Sequence, residues 1–110
     1  MEIKINQEEK GTVVKLFGRL DGVTCPELQE KLVQLLENHS DKIIIDLEEL
    51  DYVSSAGLRV LLLSQKKIKQ IGGQIVLSAM RDTIKEVFDI SGFSTLFPIY
   101  SSKTEALANI

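Results

Sequence analysis

Cysteine occurs once in the 110 residues, at position 25, histidine once, at position 39, and tryptophan not at all. A single thiol forms no intramolecular disulfide, so the fold gains nothing from an oxidising compartment. One histidine and one cysteine do not make up the recurring ligand sets of a metal centre. "DLEELD", residues 46–51, lacks the glycine and the twelve-residue spacing of a calcium loop and reads as a solvated loop. Basic charge is short as well. Thirteen lysines and arginines face 16 aspartates and glutamates, for a net charge of −3. The densest basic cluster, Lys66, Lys67 and Lys69, falls at helical spacing and reads as a solvated face. Direct binding of nucleic acid, which draws its affinity from phosphate neutralisation, is not expected. No apolar run reaches membrane-spanning length, and "MEIKINQEEK" has no apolar signal core. The expectation is a cytoplasmic protein with no membrane partner.

The fingerprints of catalysis are missing too. Neither phosphate-cradling glycine pattern, G-x-x-x-x-G-K-[ST] or G-x-G-x-x-G, occurs. His39 stands between Asn38 and Ser40 in a predicted loop, with no nucleophile assigned to it. Cys25 opens a predicted helix beside Pro26 but has no second cysteine and no base. Ser54-Ser55-Ala56-Gly57 lacks the glycine that precedes the serine in a nucleophile elbow. An enzyme, a resident metal and a cofactor are all unexpected.

What the chain has is aliphatic mass, 44% hydrophobic residues with few aromatics, which suits one close-packed domain over residues 1–110. Ile3 and Ile5 alternate with polar residues, Gly11 interrupts, and Val13, Val14, Leu16 and Leu20 follow, a pattern for an opening hairpin. Thr24 and Glu27, three apart, predict a capping box, with Pro26 in the first turn. Leu28, Leu32, Leu35 and Leu36 then give a helical stripe that ends at Asn38–Ser40. "KIIIDL" predicts a central strand buried on both faces, followed by a loop, "EELDYV". A second helix carries Leu58, Leu61, Leu62, Gln65 and Ile68 along one side and stops at Gly72 and Gly73. "QIVLSA" is the next strand, "RDTIKEVFDISG" a third helix closed by Gly92, "FPIY" an edge strand, and "SSKTEALANI" a last helix capped by Ser102 with Glu105. Strands alternating with helices require helical crossovers. The predicted class is α/β: a small mixed sheet, hairpin first and parallel strands after it, with about four helices packed against it.

One junction stands out. In "YVSSAGLRVLL", residues 52–62, the smallest residues of the chain occupy a strand-to-helix step. Serine caps helices well. The same unpaired N–H groups and the positive end of the dipole favour an anion, so a hydroxyl exposed there is placed to carry a phosphate of about −1.5 to −2 charges. A nucleotide phosphate is a further candidate for the same helix tip.

"GRLD" at 18–21, "CPELQEKL" at 25–32 and "IIIDLEELDYVSSAGLRVLL" at 43–62 resemble the STAS domains of bacterial anti-sigma factor antagonists, and the likeness extends over nearly the whole chain. It implies a protein that binds an anti-sigma factor, itself often a serine kinase, and so frees a sigma factor. It also implies a kinase that phosphorylates a serine to end the contact and a phosphatase that restores it. The family motif, Asp-Ser-Ser/Thr/Ala-Gly-Leu, places the phosphate on Ser55, with Ser54, which stands where the motif has Asp, as the second acceptor. Gly57 and Leu58 match the motif. Asp21 matches an acidic residue of a neighbouring loop, and Asp46 the aspartate that ends the central strand. The implied partner surface is Asp21, Gly22, Thr24, Ser54, Ser55, Ala56, Gly57 and Arg59. STAS-like domains also serve as scaffold or accessory subunits of transport or stress-signalling assemblies, a second role that the resemblance implies.

Overall fold

The computed structural model describes residues 1–110. Strand β1 (Glu2–Gln7) pairs antiparallel with β2 (Thr12–Leu20), the expected hairpin. Helix α1 (Cys25–Glu37) leads to β3 (Lys42–Val53), which lies parallel to β2. Helix α2 (Ser55–Gln70) leads to β4 (Gln74–Ser78), and α3 (Asp82–Ser91) with a short 3-10 turn leads to β5 (Ile99–Tyr100), again parallel. Helix α4 (Lys103–Ala108) ends the chain. The sheet order is β1-β2-β3-β4-β5, a mixed sheet of five strands with four helices.

Alternation along the strands assigns the two faces. Val14, Leu16, Ile43, Ile45, Ile75 and Leu77 point into the main core with Leu28 and Leu32 of α1, Leu61 and Ile68 of α2, and Phe88 of α3. Val13, Ile44 and Val76, one residue out of phase, point the other way and meet Ala106 of α4. One face of the sheet therefore carries three helices and the other carries one short helix.

Several expectations are corrected. The central strand does not end after "KIIIDL": β3 runs on through "EELDYV" to Val53, so Asp46 lies within the strand and not at its end. The acidic stretch hides its strand character because register shifts opposite Lys15–Phe17 and Gly18–Arg19 break the two-residue period. Leu47, Leu50 and Val53 are buried at intervals of three. The capping box at Thr24 does not form: its hydroxyl donates to the Arg19 carbonyl at 2.7 Å and accepts from the Asp21 N–H at 2.9 Å. Ser102 caps α4 as expected, accepting from the Glu105 N–H at 3.0 Å. Gln65, placed by its spacing on the apolar side of α2, is buried and acts as a hydrogen-bonding group. Its amide accepts from the Ile75 N–H at 2.8 Å and donates to the Ile75 carbonyl at 3.0 Å. Strand β5 reaches only Leu77 and Ser78, so the β5-side backbone groups of Ile75 have no strand beside them, and Gln65 takes that place.

Candidate functional site

Because β2 and β3 are parallel, both finish at the same end of the sheet, where Leu20 pairs with Val53. The chain leaving β2 turns through Asp21, Gly22, Val23 and Thr24, and the chain leaving β3 turns through Ser54 into α2. A backbone hydrogen bond from Ser54 N–H to Leu20 C=O, 2.9 Å, joins the two exits.

The two serines have different surroundings. Ser54 is extended (φ −98°, ψ 172°) and half-buried, and its hydroxyl accepts from the Gly57 N–H at 3.3 Å, the geometry of an N-cap. Ser55 is the first helical residue and is exposed, and its hydroxyl makes no hydrogen bond within the chain. The first turn of α2 holds no acidic residue, so the positive end of the helix dipole has no carboxylate of its own there. Ala56 is half-buried. Gly57 is buried, and a Cβ on it would stand 2.7 Å from the Leu20 side chain and 3.0 Å from the Leu20 carbonyl. Its small size therefore serves the seating of α2 on β2. Arg59, one turn on from Ser55, is exposed and is in no ion pair.

Asp21 organises the neighbouring loop. Its carboxylate accepts from the N–H groups of Thr24 at 3.1 Å and Val23 at 3.0 Å. The Thr24 N–H, foremost, holds its carboxyl below the usual aspartate value; desolvation, the next largest effect, opposes this, and the Val23 N–H, the Thr24 hydroxyl and the Arg19 charge add to the lowering. Gly22 and Val23 are exposed at the loop tip, Val23 at 89%. Beside the loop, the Arg19 guanidinium stacks on Tyr52, 4.0 Å from the ring centre, and lies 3.7 Å from the Asp21 carboxylate. Arg19, Val23 and Tyr52 belong to this surface but were not among the sequence candidates. Arg19 and Tyr52 lie inside the stretches "GRLD" and "IIIDLEELDYVSSAGLRVLL", and Val23 lies beside the first, so their signal was adjacency to the candidate residues. No set of three or more His, Cys, Asp or Glu side chains is placed to hold a metal ion. Cys25 is half-buried at the start of α1, and His39 is exposed with φ 63° in the turn after it.

The pattern of the STAS domain family matches residues 2–106. BtrV of Bordetella bronchiseptica, named as an anti-sigma factor antagonist, is 33% identical over 108 residues, covering 98% of this chain and 93% of that protein. The chain is a STAS domain protein of the anti-sigma factor antagonist family. The anti-sigma-B factor antagonist of Bacillus subtilis is 32% identical over 105 residues, 96% of this chain and 94% of that one. The anti-sigma factor antagonist SpoIIAA has the same fold at 21% identity. Its unphosphorylated form gives a TM-score of 0.84 over 96% of this chain and 93% of that one. The phosphorylated form from Bacillus gives 0.76 over 97% of each. Members of this family are regulators and not enzymes. No helix of the chain is long and apolar enough to cross a membrane.

Proposed function

We propose that this chain is a cytoplasmic anti-sigma factor antagonist whose binding surface is the Asp21 loop and the tip of α2, and that phosphate on Ser55 switches it off. It binds an anti-sigma factor that is also a serine kinase and thereby frees a sigma factor. The kinase places a dianion on Ser55, and a phosphatase removes it. The observation that carries this reading is the division between the serines: Ser54 is occupied as a cap, and Ser55 presents a free hydroxyl to solvent at the first position of α2. Aspartate and serine are both good N-caps. Ser54 therefore does at this position what the motif's aspartate would do, and the substitution is compatible with the same helix start. A relative that exists in a phosphorylated form supports the same reading.

The test is phosphorylation of the purified chain by the serine-kinase anti-sigma factor of its own genome. One phosphate should be added, and Ser55→Ala should accept none by intact-mass spectrometry. Ser55→Ala phosphorylated at the wild-type rate would remove Ser55 from the mechanism. Ser55→Asp should bind the anti-sigma factor more weakly by calorimetry, from like-charge and desolvation costs.

A further inference from the structure

The charge of α2 is unlike that of the rest of the chain. The helix holds four of the 13 cations, Arg59, Lys66, Lys67 and Lys69, and none of the 16 acids. The ion pairs of the molecule are Lys15–Glu48, Arg19–Asp21, Arg81 with Glu49 and Asp51, and Lys85–Asp89, so no cation of α2 takes part in one. At 3.6 residues per turn, Ser55, Arg59, Leu63, Lys66 and Gln70 fall in one stripe, and all five are exposed. Leu63 sits in the middle of that stripe, 44% exposed. Beside it, between α1 and α2, lies a groove of about 260 Å³ lined by Val33, Leu36, Glu37, Lys67 and Ile71, with Ile71 53% exposed.

We infer that the outward face of α2, from Ser55 to Ile71, is a docking surface for an acidic segment of the partner that carries aliphatic anchors. This inference rests on the antagonist reading above and extends it to most of the helix. Charge complementarity specifies the occupant. Carboxylates meet Arg59, Lys66 and Lys67, and aliphatic side chains cover Leu63 and enter the groove beside Ile71. A nucleic acid fits this face poorly, because Leu63 at the centre of the stripe and Ile71 beside the groove are aliphatic. The stripe also gives the switch a physical form. Ser55 stands at its head, one turn from Arg59, so a phosphate there repels the incoming carboxylates and competes with them for the guanidinium.

The experiment measures binding of the full chain to the anti-sigma factor of its own genome by calorimetry, at two salt concentrations. Four variants are compared: Lys66→Glu/Lys67→Glu, the neutral Lys66→Gln/Lys67→Gln, Ser55→Asp, and Lys103→Glu on the far face of the sheet. The charge-reversed pair should weaken binding roughly tenfold or more and flatten its salt dependence, the neutral pair should fall between, and Lys103→Glu should bind as wild type. The neutral pair, checked for an unchanged Tm, decides the matter if charge reversal perturbs the fold. Affinity within twofold of wild type for both lysine pairs overturns the inference, and a weak Ser55→Asp then leaves the antagonist reading standing. Loss in the lysine pairs with full affinity in Ser55→Asp keeps the docking surface and removes Ser55 as its switch. No complex with the wild-type chain removes both. Sedimentation with phosphatidylserine vesicles that depends on Lys66 and Lys67, without change in partner affinity, also overturns it in favour of a membrane surface.

Discussion

Ser54 and Ser55 are adjacent and chemically identical, yet one faces the backbone and the other faces water. Their substitutions should therefore separate. Ser54→Ala removes the cap of α2 and should cost about 1 kcal/mol, while Ser55→Ala should change stability by less than about 0.5 kcal/mol. Urea unfolding of the two variants checks this, and equal losses would contradict the assignment of the cap. Gly57 makes a similar distinction from Gly22. A Cβ at 57 meets Leu20 from two sides, whereas nothing lies within 4 Å of one at 22. Gly57→Ala should cost about 1–3 kcal/mol through overpacking, and Gly22→Ala should leave the urea midpoint nearly unchanged. The serine pair and Asp21 were legible as candidates because their residue types suit a helix tip and its neighbouring loop. That Ser54 caps while Ser55 projects was legible once the motif set Ser55 as the acceptor; residue type alone leaves either serine as the cap, since that depends on the ψ of one residue and the direction of one hydroxyl. Gly57 was legible as a motif match and as a small residue suited to close packing, but Leu20 as the residue it packs on was not, because Leu20 lies 37 positions away.

Periodicity decided which elements were legible. The hairpin and the helix stripes follow periods of 2 and 3.6, and the strand "QIVLS" is a short unbroken apolar run; all were placed within a few residues. The second half of β3 escaped because the register shifts change its phase and its acidic residues resemble a loop. The role of Gln65 escaped because its need arises from the shortness of β5, a property of another element. Gln65→Leu keeps the apolar stripe of α2 but leaves the Ile75 N–H and carbonyl without that partner. It should cost about 1–3 kcal/mol despite the gain in hydrophobicity. Thermal unfolding, with faster amide exchange at Ile75, checks the prediction, and a stabilised variant would refute it.

Over the whole molecule, acid sensitivity has identifiable sources. Asp21 and Asp89 both titrate below the ordinary 3.8, Asp21 chiefly through the Thr24 N–H and Asp89 chiefly through the Ser94 hydroxyl and then Lys85. A carboxyl depressed in the folded state adds stability that is complete above its unfolded value, about 3.9, and is lost as pH falls through the folded value. Tm should therefore hold near neutrality and drop below about pH 4, and Asp21→Asn with Asp89→Asn should reduce the slope of that drop. Scanning calorimetry between pH 7 and pH 2.5 reads both. The fold class was legible at this scale because strand–helix alternation admits few topologies. The asymmetry of the two sheet faces was not, because it depends on where the last short helix lands.

The bond from Ser54 to Leu20 and the contact of Gly57 with the same leucine fasten the start of α2 to the last residue of β2. The loop that carries Asp21 and the tip that carries Ser55 are thereby joined at their bases. A charge gained at that tip would alter the electrostatic potential around the domain while leaving its outline as it was. The two forms should then give superimposable small-angle scattering curves and separate only on an ion-exchange column.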